Sequence, residues 1–241
     1  MIRLTRQGTI FSGSADKLEE LRIQFARRHY FHLPHVLQPE LLHLIQQQID
    51  RGEFRERVHE DIGSNKELCM AENAAIGALL FLMNDERLFQ IIQGITECAQ
   101  IRCFDGRVYR VDPGKGHHDS WHNDIGEDRL VGLSINLSRE AYTGGVLQIR
   151  DCESQEIVSE TANTGLGDAI VFRLSSGLQH RITGVEGKAS KTAFAGWFKA
   201  QPDFSSLLKQ SYPKREERHA DDVSYALHGR SRGPISPNRD Y

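Results

Sequence analysis

Two histidines and one aspartate in the second half of the chain have the side-chain types and the spacing of a metal site. His122 and Asp124 are separated by a single residue, and His180 follows much later. Successive side chains of an extended strand point to opposite faces, so His122 and Asp124 would share one face. Two imidazoles and one carboxylate on one side of an octahedral ion leave its remaining positions open. The three residues therefore predict an open metal site suited to Fe(II).

A second His-x-Asp pair makes the choice of ligands ambiguous. His117 and Asp119 stand five residues before His122 and Asp124, and His118 lies between them. Tripeptides of this form occur by chance in many proteins, and both pairs offer the same donor atoms. Residue types alone leave both pairs open.

Helical periodicity dominates the first hundred residues, ahead of the metal-ligand candidates. Ser14 precedes an amphipathic helix predicted over Ala15–Arg28, and Pro39 stands where proline is tolerated, at the start of a second helix. Two further helices are predicted over Glu72–Asn84 and Asp85–Ala99. These helices have apolar stripes that must be covered by another layer.

Short strands separated by turn residues follow from about Ile101, and they must position the candidate ligands. In Leu130–Ser138, apolar residues alternate with small or polar ones, which is typical of a half-buried strand. The other predicted strands are Val146–Arg150, Ala169–Leu174, Leu178–Val185 and Lys191–Lys199. Several short strands after a run of helices predict an α+β, mainly β fold: a jelly-roll or cupin-like double-stranded β-helix with N-terminal buttressing helices.

Composition limits the function classes. The chain has 241 residues, a formal charge of −3 and 39% hydrophobic residues. It lacks the basic surplus of a nucleic-acid binder, an apolar run long enough to span a membrane, and a secretory signal pattern. Its four cysteines form no CxxC pair. We therefore expect a cytoplasmic protein with reduced thiols and with neither nucleic-acid nor membrane partners.

The same reasoning predicts the domain organisation. We expect residues 1–210 to form a single domain, helical over about 1–100 and β-rich over about 101–200. Apolar residues become rare after about Gln210, so residues 211–241 are predicted to be a charged, flexible C-terminal tail.

The order of short motifs between about Val108 and Phe198 resembles that of a known enzyme family. The motifs are Asp112-Pro113-Gly114, His122-Asn123-Asp124, Gly144-Gly145-x-Leu147, Gly167-Asp168-Ala169-Ile170-Val171-Phe172, His180 and Lys191 six residues before Trp197-Phe198. Together they resemble the Fe(II)/2-oxoglutarate-dependent oxygenase superfamily, in its prolyl-hydroxylase-like branch. The segment FHLPHVLQPELLHLI is a looser match to the branch's first strand and helix.

This resemblance implies the roles of particular residues. By the family's spacing, His122, Asp124 and His180 are the iron ligands and catalytic residues, which leaves His117 and its neighbours at the rim of the site. Lys191 then neutralises the distal carboxylate of 2-oxoglutarate, and Asn136 is a second cosubstrate contact. The Arg-x-Ser pattern common in the family is missing, so Lys188 and Arg181 are alternative cations.

The resemblance also implies the reaction. A family member would decarboxylate 2-oxoglutarate to succinate with molecular oxygen and hydroxylate an unactivated C–H bond, with ascorbate as a reductant. The expected substrate is a peptide residue or an amino-acid-like small molecule. The alternative from fold alone is a cupin-like module that binds a metal or a sugar without oxidising it.

Overall fold

A computed structural model describes residues 1–59, 65–126, 128–162 and 165–201 of the chain. The predicted tail over 211–241 lies outside these residues. Within them, no helix combines the length and the apolar character needed to cross a membrane.

Four helices form the N-terminal layer of the described chain, and all four were predicted from periodicity. They are α1 (Ala15–Arg28), α2 (Pro39–Asp50), α3 (Ala74–Met83) and α4 (Glu86–Thr96). The last two begin later than predicted because Asn73 and Asp85 cap them. The Asn73 side chain accepts hydrogen bonds from the backbone N–H groups of Ala75 and Ile76, and Asp85 accepts one from Arg87. Ser14 precedes α1 but makes no such bond.

The strands form two larger sheets and two short two-stranded pairs, β1–β2 and β8–β13. In chain order they are β1 (Ile2–Thr5), β2 (Gly8–Phe11), β3 (Tyr30–Leu33), β4 (Phe54–His59), β5 (Asn65–Met70), β6 (Cys103–Val111), β7 (Arg129–Asn136), β8 (Thr143–Gly144), β9 (Val146–Asp151), β10 (Ile157–Ala162), β11 (Ala169–Arg173), β12 (Leu178–Ile182), β13 (Val185–Glu186) and β14 (Lys191–Lys199). The major sheet is antiparallel in the order β3-β11-β7-β14-β6-β5-β4, and the minor sheet has the order β10-β9-β12.

The major sheet is covered on both faces, as β7 shows. Its apolar residues Val131, Leu133 and Ile135 belong to the same buried cluster as the helix residues, whereas Ser134 and Asn136 alternate with them. On the opposite face, residues of β3 and β11 pack against Leu147 and Ile149 of β9. The helical layer, major sheet and minor sheet confirm the predicted double-stranded β-helix with a helical buttress.

Four strand features differ from the sequence prediction. The β1–β2 and β4–β5 hairpins and strand β10 were not predicted, and the predicted strand over Leu178–Val185 divides into β12 and β13. Strand β4 has the sequence FRERVH and lies at the edge of the major sheet. An edge strand tolerates charged side chains on both faces, so it lacks the alternation by which a half-buried strand is recognised. The β4–β5 hairpin matters for function because β5 contributes to the wall of the central cavity described below.

Candidate active site

The minor sheet and the segment before β7 bring the three candidate metal ligands together. His180 lies on β12, and its backbone pairs with that of His122. The His122 N–H donates to the His180 carbonyl at 3.1 Å, and the His180 N–H donates to the His122 carbonyl at 2.7 Å. This pairing places the two imidazole rings 4.4 Å apart. Residues that are remote in sequence thus become neighbours through one bridge at the edge of the minor sheet.

Asp124 shares the site, but not for the reason expected from the sequence. The prediction assumed an extended chain through His122 and Asp124, whereas Asp124 has φ +55° and follows no regular strand. Aspartate is among the residues that tolerate this left-handed conformation. The backbone therefore turns at Asp124, and the turn directs the carboxylate towards both histidines.

The donor atoms of the three residues converge. All lie within 4.8 Å of one another, with Asp124 Oδ1 3.5 Å from His122 Nε2 and Asp124 Oδ2 3.2 Å from His180 Nε2. The backbone oxygen of Ser120 lies 2.7 Å from His122 Nδ1, so Nδ1 donates its proton there and Nε2 faces the carboxylate. Two imidazoles and one carboxylate are a donor set that Fe(II) accepts with positions left open. The residues present therefore fit a facially bound Fe(II).

The hydrogen bonds between Asp124 and the histidines also shift pKa values in the site. Burial alone would raise the pKa of Asp124, but hydrogen bonds with His122 and His180 hold it far below its usual range. Burial opposes protonation of His122, but the Asp124 hydrogen bond and the Asp119 charge raise its pKa to about 9. Without a metal, a proton on His122 balances the Asp124 carboxylate. A divalent cation would take over that role, so its binding releases protons.

Two residues outside the ligand set hold Asp124 in place. The Trp197 indole donates from Nε1 to Asp124 Oδ2 at 2.9 Å. Arg129 stacks on that indole, with its Cζ atom 3.7 Å from the ring centroid, and donates to the Asp124 backbone oxygen at 3.3 Å. The sequence placed Trp197 on the last strand, but nothing in it indicated the contact with Asp124, and Arg129 carried no signal.

The earlier His-x-Asp pair lies beside the triad. His117 Nδ1 accepts a hydrogen bond from the Asp112 backbone at 2.9 Å, which occupies a ring nitrogen. Asp119 accepts hydrogen bonds from the Ile182 backbone at 2.7 Å and from the Asn65 side chain at 3.2 Å. Burial raises the Asp119 pKa, although the nearby His122 opposes this rise. Within the described residues, only His122, Asp124 and His180 form a convergent group of metal donors.

Lys191 is a buried cation without a carboxylate partner. It is 1% exposed, its Nζ donates to the Gly145 carbonyl at 3.1 Å, and the Tyr142 ring centroid lies 5.9 Å away. No carboxylate of the described residues forms an ion pair with it. Burial lowers its pKa to about 8, against a raising effect of Asp119. Gly145 leaves space for the lysine, since a Cβ there would lie 3.0 Å from Lys191 Cδ. A buried, uncompensated cation fits an anionic ligand.

Asn136 is fully buried on β7, beside Ala193 of β14 and two residues along from Lys191. Its side-chain oxygen accepts a hydrogen bond from the Ser138 backbone at 2.9 Å. The two alternative cations lie elsewhere. Arg181 donates to Gln148 and stacks on Trp121, and Lys188 is exposed.

A cavity between the two sheets leads to the triad. Its described lining includes the triad, Trp197 and Ala195 of β14, Arg107 and Tyr109 of β6, Asn65 and Glu67 of β5, and Leu147 of β9. Lys191 and Asn136 are not among its described lining residues. His117, His118 and Asp119 line it together with the triad.

Comparison with protein families gives one match over the β-rich part of the chain. Residues 106–199 match the model of the 2OG-Fe(II) oxygenase superfamily. This segment begins in β6, ends with β14 and contains all three triad residues. A comparison with curated protein sequences finds no match.

Solved structures share the fold at low sequence identity. A Pseudomonas putida prolyl-4-hydroxylase is 18% identical with TM-score 0.57, covering 76% of this chain and 99% of its own. A Trichoplax adhaerens prolyl hydroxylase, in complex with a hypoxia inducible factor oxygen degradation domain peptide fragment, is 13% identical with TM-score 0.53, covering 78% and 94%.

A third similar structure contains the cofactors. The epimerase SnoN, in complex with Fe3+, alpha ketoglutarate and nogalamycin RO, is 12% identical with TM-score 0.53, covering 81% of this chain and 90% of its own. The family match, the shared fold and the convergent His-Asp-His donors agree. Residues 106–199 of the chain thus resemble the Fe(II)- and 2-oxoglutarate-dependent oxygenase superfamily in sequence, and the described chain shares the fold of its solved members.

Proposed function

We propose that this oxidoreductase is a dioxygenase that hydroxylates an unactivated C–H bond of a peptide residue or an amino-acid-like small molecule. In this proposal His122, Asp124 and His180 hold the iron and are the catalytic residues. The observation that carries it is the convergence of their donor atoms within 4.8 Å at the end of a cavity. Three protein ligands leave positions for the cosubstrate and oxygen.

The cosubstrate site is proposed around Lys191. Its charge has no carboxylate partner among the described residues, and the distal carboxylate of 2-oxoglutarate would supply one. Asn136 offers its amide beside Lys191 as the second contact. The Lys191 ammonium is a point charge and not a planar fork, so a neighbouring donor would help to orient the carboxylate.

Bound iron with 2-oxoglutarate supplies the oxidising chemistry, and the protein supplies position. The Ser120 carbonyl fixes the tautomer and orientation of His122, while Trp197 fixes one carboxylate oxygen of Asp124. Such contacts around metal ligands restrict their rotation. The apolar side chains of Leu147 and Ala195 in the cavity wall limit water near the triad.

The substrate class is supported by likeness alone. One structure of similar fold is a prolyl-4-hydroxylase, and another is a prolyl hydroxylase with a bound peptide fragment. A third is an epimerase, so the same fold supports reactions other than hydroxylation. A peptide residue and a free amino acid are both compatible with these likenesses.

The decisive experiment measures succinate formed from 2-oxoglutarate by the purified protein with Fe(II) and ascorbate. We expect iron-dependent turnover in the wild type and in His117→Ala, and none in His122→Ala. The protein is then incubated with a cell extract under ordinary oxygen and, in parallel, under ¹⁸O₂. Mass spectrometry identifies the hydroxylated product as a compound 16 mass units heavier than its substrate in the first incubation and 18 units heavier in the second. Metal binding without any succinate would instead favour the cupin-like binding module.

A further inference from the structure

The described wall of the cavity contains one arginine, Arg107, which the family comparison does not explain. Arg107 lies on β6 and pairs with Ala195 of β14, and Trp197 follows two residues after Ala195 on that strand. Both Arg107 and the triad line the same cavity. Ala195, its cross-strand neighbour, also lines the cavity and has a small side chain.

Arg107 is held by a buried carboxylate on the neighbouring strand. Its Nε donates to Glu67 Oε1 at 2.7 Å, and the Glu67 side chain is only 3% exposed. The Tyr109 and Trp197 ring centroids lie 5.8 and 6.0 Å from the guanidinium carbon. One ion pair and two flanking rings therefore fix the plane of the guanidinium before any ligand enters.

The two Nη groups of this guanidinium are not used by the contact with Glu67, and the residue lines the cavity. Neither of its Nη groups has a hydrogen-bond partner among the described residues, and the side chain retains 23% of its exposure. Two parallel N–H groups on a fixed plane match the two oxygens of a carboxylate. The Nε contact with Glu67 leaves this pair of donors unused.

We propose that Arg107 binds a carboxylate of the substrate that is oxidised, so that the substrate is a free amino acid or a similar carboxylic acid. The inference rests on the proposed function and deepens it, because it selects the small acid over an internal peptide residue. Glu67 acts as the positioning residue, since it touches Arg107 and orients it.

The test compares free amino acids with the same amino acids as carboxamides, and with peptides blocked at both ends. Stimulation of succinate formation is measured with Fe(II) and 2-oxoglutarate. Binding is measured by calorimetry with protein loaded with Mn(II) and 2-oxoglutarate. We expect at least one free acid to stimulate turnover and to bind roughly tenfold to a hundredfold more tightly than its amide, as for a charge-assisted contact.

Variants separate recognition from structure. Arg107→Met should abolish the preference of acid over amide, whereas Arg110→Met should retain it. Arg110 is the matched control because it lies on the same strand but hydrogen-bonds Thr192 and stacks on Phe54. Removal of Arg107 takes away the ion-pair partner of the buried Glu67 carboxylate. The double variant Glu67→Gln/Arg107→Gln therefore keeps a neutral pair, and it should lose the same preference.

Three results would overturn this inference: equal action of acid and amide, a preference that survives in both Arg107 variants, or a panel in which no free acid acts. Failure of the proposed function looks different. In that case the wild type would bind neither Mn(II) nor, with Mn(II) present, 2-oxoglutarate.

Discussion

The substitution Lys191→Met removes the buried charge while keeping an apolar side chain of similar length. A charge-assisted contact to a buried carboxylate contributes about 1.5–3 kcal/mol. Since 1.36 kcal/mol corresponds to a factor of ten, the KM for 2-oxoglutarate should rise about tenfold to 150-fold. Metal affinity should be little affected, because Lys191 contacts Gly145 and Tyr142 and none of the triad.

The same substitution should stabilise the ligand-free protein. Burial lowers the Lys191 pKa from 10.5 to about 8, so the folded state binds fewer protons than the unfolded state between these values. The stability of the wild type therefore rises with pH across this window. Below pH 8 the full cost of burying the charge is present, about 3 kcal/mol for a shift of this size. Lys191→Met should recover up to that amount at pH 7, and its advantage should vanish towards pH 10.

Steady-state kinetics and denaturant unfolding at pH 7 and pH 10 measure the two effects, with the exposed Lys188→Met as the matched control. Wild-type affinity for 2-oxoglutarate should also fall as pH rises past about 8, because the lysine loses its proton. An unchanged KM in Lys191→Met, or a raised KM in Lys188→Met, would refute the assignment. A variant less stable than the wild type at pH 7 would refute the charge argument.

Three further predictions concern the ligands, the contacts around them and the tail. Alanine at any of the three triad positions should abolish metal-dependent succinate formation, while full activity in Asp124→Ala with loss in Asp119→Ala would move the site to the earlier pair. Trp197→Phe keeps an aromatic ring but removes the N–H donor to Asp124, so metal affinity by titration should fall about tenfold to a hundredfold. Wild-type affinity in that variant would show that the indole only packs. Truncation after Gln210 should leave folding by circular dichroism and 2-oxoglutarate decarboxylation intact, and a chain that no longer folds would contradict the predicted flexible tail.

Local patterns in the sequence were enough to predict the main elements of the site. Alternation predicted β7, and the strand containing Lys191 was predicted over its full extent, Lys191–Lys199. The capped, apolar-striped helices were predicted for the same reason, since periodicity reports which face of an element is buried. The choice of His122 and Asp124 over the earlier pair came from resemblance, and the structure brings those two residues together with His180.

Tertiary structure alone decided how these residues meet. The backbone turns at Asp124 with a positive φ, which no local sequence pattern predicts. This turn replaces the extended segment that was expected. The bond from Trp197 to Asp124 joins residues 73 positions apart. The β4–β5 hairpin was not predicted, because its edge strand β4 is charged on both faces and lacks alternation. The ion pair between Glu67 of β5 and Arg107 was therefore not predicted either. Sequence periodicity records the burial of single elements, whereas contacts between distant elements depend on strand order and register, which form only when the sheets pack.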